Sequence, residues 1–246
     1  MQFGQVWDEL DPDHAPIDLD VTLEEIRRHD ADLILLQEVE RAQPGGVQLQ
    51  PPPNFARLRA ELDGYNSCFA YPKADPRELP FGIGLAIFSR GPLHDSMRLD
   101  LPSPSIEFDF FGHKTTPTDR VFIGAKTVLL GREVQLYNTH LLAFFMLGAG
   151  HSECASQRNL VADQIAGASV ATILTGDFNE SKHEVLVSQF AACGYATVQT
   201  DEVTWRRRPF VLDHIFYNAP LRCVSRAVCP TPASDHHALV ADFEFV

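Results

Sequence analysis

The sequence predicts an α/β fold of two packed sheets with helices on the outside. Two patterns carry that prediction. Continuous apolar runs of strand length stop in polar residues, as in "LILLQEV" (Leu33 to Val39) and "ATILTGDFN" (Ala171 to Asn179), and a strand-rich middle is flanked on both sides by segments of helical periodicity. With 246 residues, 45% of them hydrophobic, the chain can build one large core, so a single domain over 1–246 is expected.

The first helix is expected at "DLDVTLEEIRR" (Asp18 to Arg28), which has acids early, bases late, Leu19, Leu23 and Ile26 at helical spacing, and Thr22 and Glu25 placed as a capping box. "ADLILLQEVE" follows as a strand buried on both faces, and "QPGGVQLQPPP" (Gln43 to Pro53) is loop punctuation. "NFARLRAEL" reads as a short helix with Asn54 as its N-cap. "YNSCFAY", "GIGLAIFS", "VFIGAKTVLL" and "EVQLYNTHL" then read as successive strands. The order continues as helix (Ser152 to Gly167), strand (Val170 to Phe178), helix (Lys182 to Gly194) and three strands, "VLDHIFYN", "LRCVSRAVC" and "HALVADFEFV".

Twenty Lys and Arg against 33 Asp and Glu give a formal charge of -13, which repels polyphosphate at long range unless a cation or a local basic patch intervenes. Five Cys without a C-x-x-C pair suggest neither a disulfide framework nor a thiolate zinc site, and a reducing compartment fits them. With no apolar leader and no run of about 20 apolar residues, a cytoplasmic protein is expected.

Chemistry concentrates where the strands stop. Glu38, His140, Asp177 with Asn179, Asp213 with His214, and Asp235 with His236 all sit at or beside the ends of apolar runs, where α/β sheets collect their ligands. Glu38 taken alone also fits an ordinary solvated strand end, and Gly176 to Asn179 also suits a plain turn. Asp213 is harder to dismiss, because an unpaired buried carboxylate needs a cation, donors or a metal. His236 can be its partner, with one imidazole nitrogen fixed by the carboxylate and the other left basic. Carboxylates and an amide without thiolate suit Mg²⁺ or Mn²⁺. Together with His140 and Asn179 as phosphate donors and His236 as base, they describe a phosphodiester hydrolase.

The ordered blocks "LLQEVE", "YNTHL", "LTGDFNE", "LDHIFYN" and "SDHHALVADF" resemble the endonuclease/exonuclease/phosphatase superfamily, the DNase-I-like group of metal-dependent hydrolases, over almost the whole chain. The resemblance implies a four-layer α/β sandwich. It implies Glu38 as principal metal ligand, with Asp177 and Asn179 at the attacking water, the metal region and the phosphate. It also implies His140 on the phosphate, Asp213 orienting the general base His236, and Asp235 contributing to the metal site. The family's first strand ends in a metal-site asparagine, and "MQ" is similar to the two positions after it. The chain is therefore expected to lack that strand, through truncation or a coding start placed at an internal methionine.

The reading favoured on this basis is a Mg²⁺-dependent, nuclease-like phosphodiesterase. A phosphomonoesterase, a sphingomyelinase-like enzyme and a non-catalytic binding member are the alternatives. "TWRRRPF" (Thr204 to Phe210) could clamp phosphate or stack a base, Gln157 and Arg158 resemble positions near the site, and "HLLAFFMLGAG" raises membrane contact, although burial is the commoner fate of such a stretch. "GHSEC" (Gly150 to Cys154) only approaches the G-x-S-x-G of serine hydrolases.

Overall fold

The computed structural model describes residues 1–148 and 151–246, with the backbone alone for 151–154. The first helix, α1 (Leu19–His29), begins one turn earlier than the Thr22/Glu25 box implies. Asp18 is the N-cap, accepting from the Asp20 amide at 3.0 Å. Thr22 therefore lies inside the helix with a buried, unpartnered hydroxyl, and Glu25 pairs with Arg28 and His29 on the next turn. After β1 (Leu33–Leu36) and β2 (Glu40–Arg41) comes α2 (Pro53–Glu61). It is started by Pro53 in its first turn and not by Asn54, whose side-chain amide instead donates to Phe3 O and Val39 O.

Next come β3 (Asn66–Ala70), β4 (Gly82–Ile83) and β5 (Leu85–Ser89). The expected single strand at 82–89 is broken at Gly84, whose φ of +82° few other residues adopt. β6 (His94–Leu101) escapes the sequence pattern because it is an edge strand with mixed exposure. The hairpin β7 (Phe108–Phe110) and β8 (His113–Thr115) projects before the long pair β9 (Arg120–Leu129) and β10 (Arg132–His140). Then follow α3 (His151–Ile165), β11 (Ala171–Asp177), α4 (His183–Ala192), β12 (Tyr195–Thr197), β13 (Asp213–Asn218), β14 (Leu221–Cys229) and β15 (Ala238–Phe245).

These elements form four layers. A six-stranded sheet runs β12-β13-β11-β10-β9-β6, with β10 and β11 parallel and the other neighbours antiparallel. Facing it are β1-β5-β3 and the separate pair β14-β15. Leu85, Ile87, Val121, Ile123, Leu136 and Ile173 fill the space between the sheets. Outside the large sheet, Val161, Ile165, Leu186 and Phe190 of α3 and α4 close a second core over Phe122 and Phe216. Outside the other, Leu19, Leu23 and Leu58 of α1 and α2 cover Ile34 and Phe88. Among the described residues no helix is long and apolar enough to cross a membrane, and the four described cysteines are unpaired.

Asn138, fully buried on β10, ties the two sheets together at one end. Its amide donates to Leu36 O at 2.9 Å and Ala86 O at 3.1 Å, and its carbonyl accepts from the Gln37 side chain at 2.6 Å.

Candidate active site

The strand ends beside Asn138 deliver the site. β10 and β11 run in parallel register with His140 opposite Asp177, and antiparallel β13 places Asp213 opposite Asp177 in turn. Three neighbouring strands thus bring one functional group each to the same sheet end. Asp177, Asp213 and His236 offer ligand atoms within 4.8 Å of one another.

His236 is fixed by Asp213: its Nδ1 lies 2.7 Å from Asp213 Oδ2. Nε2 is left facing Asp177 Oδ2 at 3.7 Å, and His140 Nε2 approaches the same oxygen at 3.6 Å. Asp213 is held by its own backbone amide donating to Thr204 Oγ1 at 3.1 Å. The loop after β11 turns at Asn179, which has φ of +49°. Its amide donates to Asp177 Oδ1 at 3.0 Å and its side chain donates to Leu141 O at 2.8 Å. The turn that the sequence offers for Gly176 to Asn179 is present, and it leaves Asp177 facing His140 and His236.

Glu38 leaves β1 at a φ of +54° and reaches the same region. Gly82 allows this, because a Cβ there would sit 2.3 Å from that of Glu38. Asp235 lies close by, but its Oδ2 already accepts from Trp205 Nε1 at 3.2 Å and Arg207 Nε at 2.9 Å. The structure thus brings together Glu38, His140, Asp177, Asn179, Asp213 and His236, and sets Asp235 behind them with its carboxylate engaged. His214, one residue from Asp213, points to the opposite face, where it is buried and stacked on Phe216.

Charge crowding is visible in the proton affinities. Burial, and next the Asp235 carboxylate, push Glu38 up from 4.5 to about 7. Burial and Asp213 hold Asp177 well above the ordinary carboxylate range. Burial works to raise Asp213 as well, but the His236 imidazolium and its hydrogen bond outweigh it, so Asp213 is lowered. Burial alone would lower His236; Asp213, Asp177 and Asp235 overcome it and push the imidazole up to about 10. Burial, and next the charge of Arg120, lower His140 to about 3, so it is neutral.

Two participants escaped the sequence. Arg120, at the start of β9, bonds Glu78 at 3.3 Å, and its charge reaches both His140 and Glu38. Its Nε is buried and unpartnered. Neither residue sits in a recognisable block; the available signal was an arginine opening the apolar run "RVFIGAK". The basic cluster proves largely committed elsewhere. Trp205 is buried, Arg207 bridges Asp13 and Asp235, and Arg206 covers the Trp7 ring. Gln157 props the loop after His140, accepting from Leu142 N at 3.0 Å, and Arg158 pairs with buried Glu180. Phe144 is buried, Phe145 packs on Trp205 and Phe210, and Met146 is exposed. The side chains of "GHSEC", Gly150 to Cys154, lie outside the described residues.

Glu38, Asp177 and Asn179 offer hard oxygen donors without a thiolate, and burial followed by a neighbouring carboxylate makes Glu38 and Asp177 hold protons more tightly than usual. Oxygen donors of this kind fit a hard divalent cation.

Comparison with solved structures agrees with the architecture. A Beutenbergia cavernae DSM 12333 endonuclease/exonuclease/phosphatase superposes with a TM-score of 0.73 at 21% identity, covering 99% of this chain and 70% of that one. The human Nocturnin catalytic domain with bound sulfate anion gives 0.61 at 24% identity, over 92% and 86%. A Bacteroides thetaiotaomicron VPI-5482 mannosyl-6-phosphatase gives 0.65 at 18%, over 92% and 90%. No curated protein sequence matches the chain. The model of the Endonuclease/Exonuclease/phosphatase family matches residues 2–236, from the segment before α1 to His236 itself, and with the carboxylate and histidine cluster it settles the descent: the chain belongs to this family of DNase-I-like fold, whose members hydrolyse phosphate esters.

Proposed function

We propose that the protein is a Mg²⁺-dependent phosphodiester hydrolase of nuclease-like type, with Mn²⁺ as a substitute. The observation that carries this reading is the His236–Asp213 pair at 2.7 Å, which leaves Nε2 directed at Asp177 within an acidic site.

Glu38 and Asp177 would hold the cation, with Asn179 beside them. When bound it would offset the carboxylate charge and polarise a phosphoryl oxygen. His236 does the proton work. Asp213 occupies Nδ1 and fixes the tautomer, so Nε2 is the nitrogen that takes a proton from a water attacking phosphorus. Neutral His236 is required for that step, and offsetting the surrounding carboxylates lowers its affinity for the proton it otherwise retains. Neutral His140, with Asn179 beside it, would donate to non-bridging oxygens, and the positive charge of Arg120 on the His140 side supports this reading. The new P–O bond to the water oxygen would form as the opposite P–O bond breaks, and the departing alkoxide would take a proton from solvent.

Hydrolysis of bis(p-nitrophenyl) phosphate with Mg²⁺, with EDTA, and by His236→Ala tests the proposal. Metal-dependent turnover that falls about a hundredfold to ten-thousandfold in the variant is expected. Full activity in His236→Ala would exclude this base. Turnover of p-nitrophenyl phosphate in preference to the diester would favour phosphomonoester chemistry.

A further inference from the structure

Three phenylalanine rings beside the site have no part in the chemistry above. Phe81 is half-exposed, and the next residue, Gly82, is the one packed against Glu38. Phe110, at the end of β7, meets the Phe81 ring edge-on with centroids 5.7 Å apart, and Phe111 at the tip of the β7–β8 hairpin meets Phe110 edge-on at 4.8 Å. The rings thus lead outward from beside Glu38 to the hairpin tip. Their placement is fixed from the other side as well. Arg77 bonds Thr116 just past β8, and the Glu78 carboxylate accepts from Thr118 Oγ1 at 2.7 Å and from Arg120 at 3.3 Å. One short segment, 75–82, therefore holds both the base of the hairpin and a wall of the site.

The hairpin tip is costly. Phe111 and Gly112 make its two-residue turn at φ of +49° and +83°, a conformation suited to Asn-Gly or Gly-Gly. A phenylalanine there is strained, and at 89% exposure its ring gains no burial within the chain in return. The turn by itself is not the signal. Leu130 and Gly131 repeat it between β9 and β10, at the end of the large sheet away from the site, with Leu130 93% exposed. Phe111 differs in having two further rings that connect it to the site.

Charge decides what these rings can take. The cations around them are engaged by carboxylates: Lys114 by Glu107 at 2.6 Å, Arg77 by Asp75 at 2.6 Å, and Arg120 by Glu78. A nucleic-acid strand needs unpaired cations alongside its stacking rings, and an anionic membrane needs them too. The exposed Asp109 on the hairpin and the formal charge of -13 oppose both. An uncharged apolar group has no such requirement, and an aromatic one gains from both edge and face contacts.

We infer that Phe81, Phe110 and Phe111 form a subsite for an uncharged aromatic group carried several atoms away from the phosphorus of a small, soluble phosphate ester. The separation follows from the path of the rings, which starts one residue from the Glu38 contact and moves outward by two ring-to-ring steps. The inference rests on the hydrolase reading for the fate of the phosphate, and not for the binding of the aromatic group.

The test uses phosphodiesters of p-nitrophenol whose second group is methyl, phenyl, 3-phenylpropyl or 6-phenylhexyl, with Mg²⁺, on the parent, Phe111→Asn and Leu130→Asn. In the parent and in Leu130→Asn, kcat/KM should rise about tenfold or more from the methyl to the longest ester. In Phe111→Asn, whose Asn-Gly turn suits the hairpin, the rise should shrink to about threefold or less. A second measurement needs no turnover: 6-phenylhexylphosphonate, whose C–P bond is not hydrolysed, should bind the parent about tenfold more tightly than methylphosphonate by calorimetry, and Phe111→Asn should lose that preference. Phe111-dependent phosphonate binding without hydrolysis of any ester would sink the hydrolase reading and support the subsite. Equal kcat/KM for all four esters, a length preference that survives in Phe111→Asn, or equal binding of the two phosphonates would overturn the subsite. So would Phe111-dependent sedimentation with phosphatidylcholine vesicles without any preference among the soluble esters, which would make the hairpin a membrane contact.

Discussion

The proton affinity of Glu38 gives the most direct quantitative test of the site. Its carboxyl is raised from 4.5 to about 7, first by burial and next by Asp235. A folded-state pKa above the unfolded one means that the native state binds the proton more tightly, so native stability falls as pH rises between those values. The gap is worth ~3 kcal/mol above pH 7 in metal-free protein, an upper figure because the carboxylate can shift toward solvent. Below pH 4.5 both states hold the proton and the term vanishes. Glu38→Gln removes the titration with little change of shape, so at pH 8 in EDTA the variant should be more stable than the parent by ~1–3 kcal/mol, or roughly 3–10 °C in melting temperature for a chain of this size. At pH 4 the two should melt together. Adding Mg²⁺ at pH 8 should raise the parent and leave the variant largely unmoved. Thermal unfolding of both proteins at the two pH values, with and without the ion, supplies the comparison. A variant no more stable than the parent at pH 8 in EDTA, or one equally stabilised by Mg²⁺, would refute the assignment of Glu38 as a half-buried, cation-seeking carboxylate.

Other substitutions probe neighbouring parts. Asp213→Asn should keep the fold but cost about a hundredfold or more in turnover of the diester, because the Nδ1 partner that fixes the His236 tautomer is lost; unchanged kcat would remove Asp213 from the machinery. Gly82→Ala places a methyl against Glu38 Cβ, so a loss of ~1–3 kcal/mol by chemical denaturation and weaker Mg²⁺ stabilisation should appear together. Arg120→Met leaves the nearly buried Glu78 without its cation, and destabilisation of about 3 kcal/mol or more is expected; replacing Glu78 with Gln in the same chain should recover part of it, and strict additivity in the double variant would show the pair to be uncoupled.

How much of this was legible beforehand follows from the nature of each signal. Strands of continuous apolar sequence announce themselves, β11 buried throughout and β1 only half-buried where a strand covered on both faces was expected, and the groups closing them, Glu38 and Asp177, were visible as polar stops. Asp213 stood out because a carboxylate beside apolar residues demands a partner, and His236 is that partner. β6 could not be read, since an edge strand needs only one well-covered end. Asn54 was misread as a cap because local sequence cannot anticipate that Phe3 and Val39 would compete for its amide. The engagement of Asp235 with Trp205 and Arg207 and the reach of Arg120 toward His140 depend on where distant strands meet. Spacing along the chain carries no such information.

The hold of Asn138 on Leu36 and Ala86 bears on the order in which the protein would lose its parts. Glu38 comes from one sheet and Asp177, Asp213 and His140 from the other, so no single sheet owns the chemistry. On gentle heating, the first casualty should be the alignment of the two halves, while each half still keeps its ladders. Turnover would then vanish ahead of the circular dichroism of the strands, and the amide of one interior asparagine would set how wide that interval is.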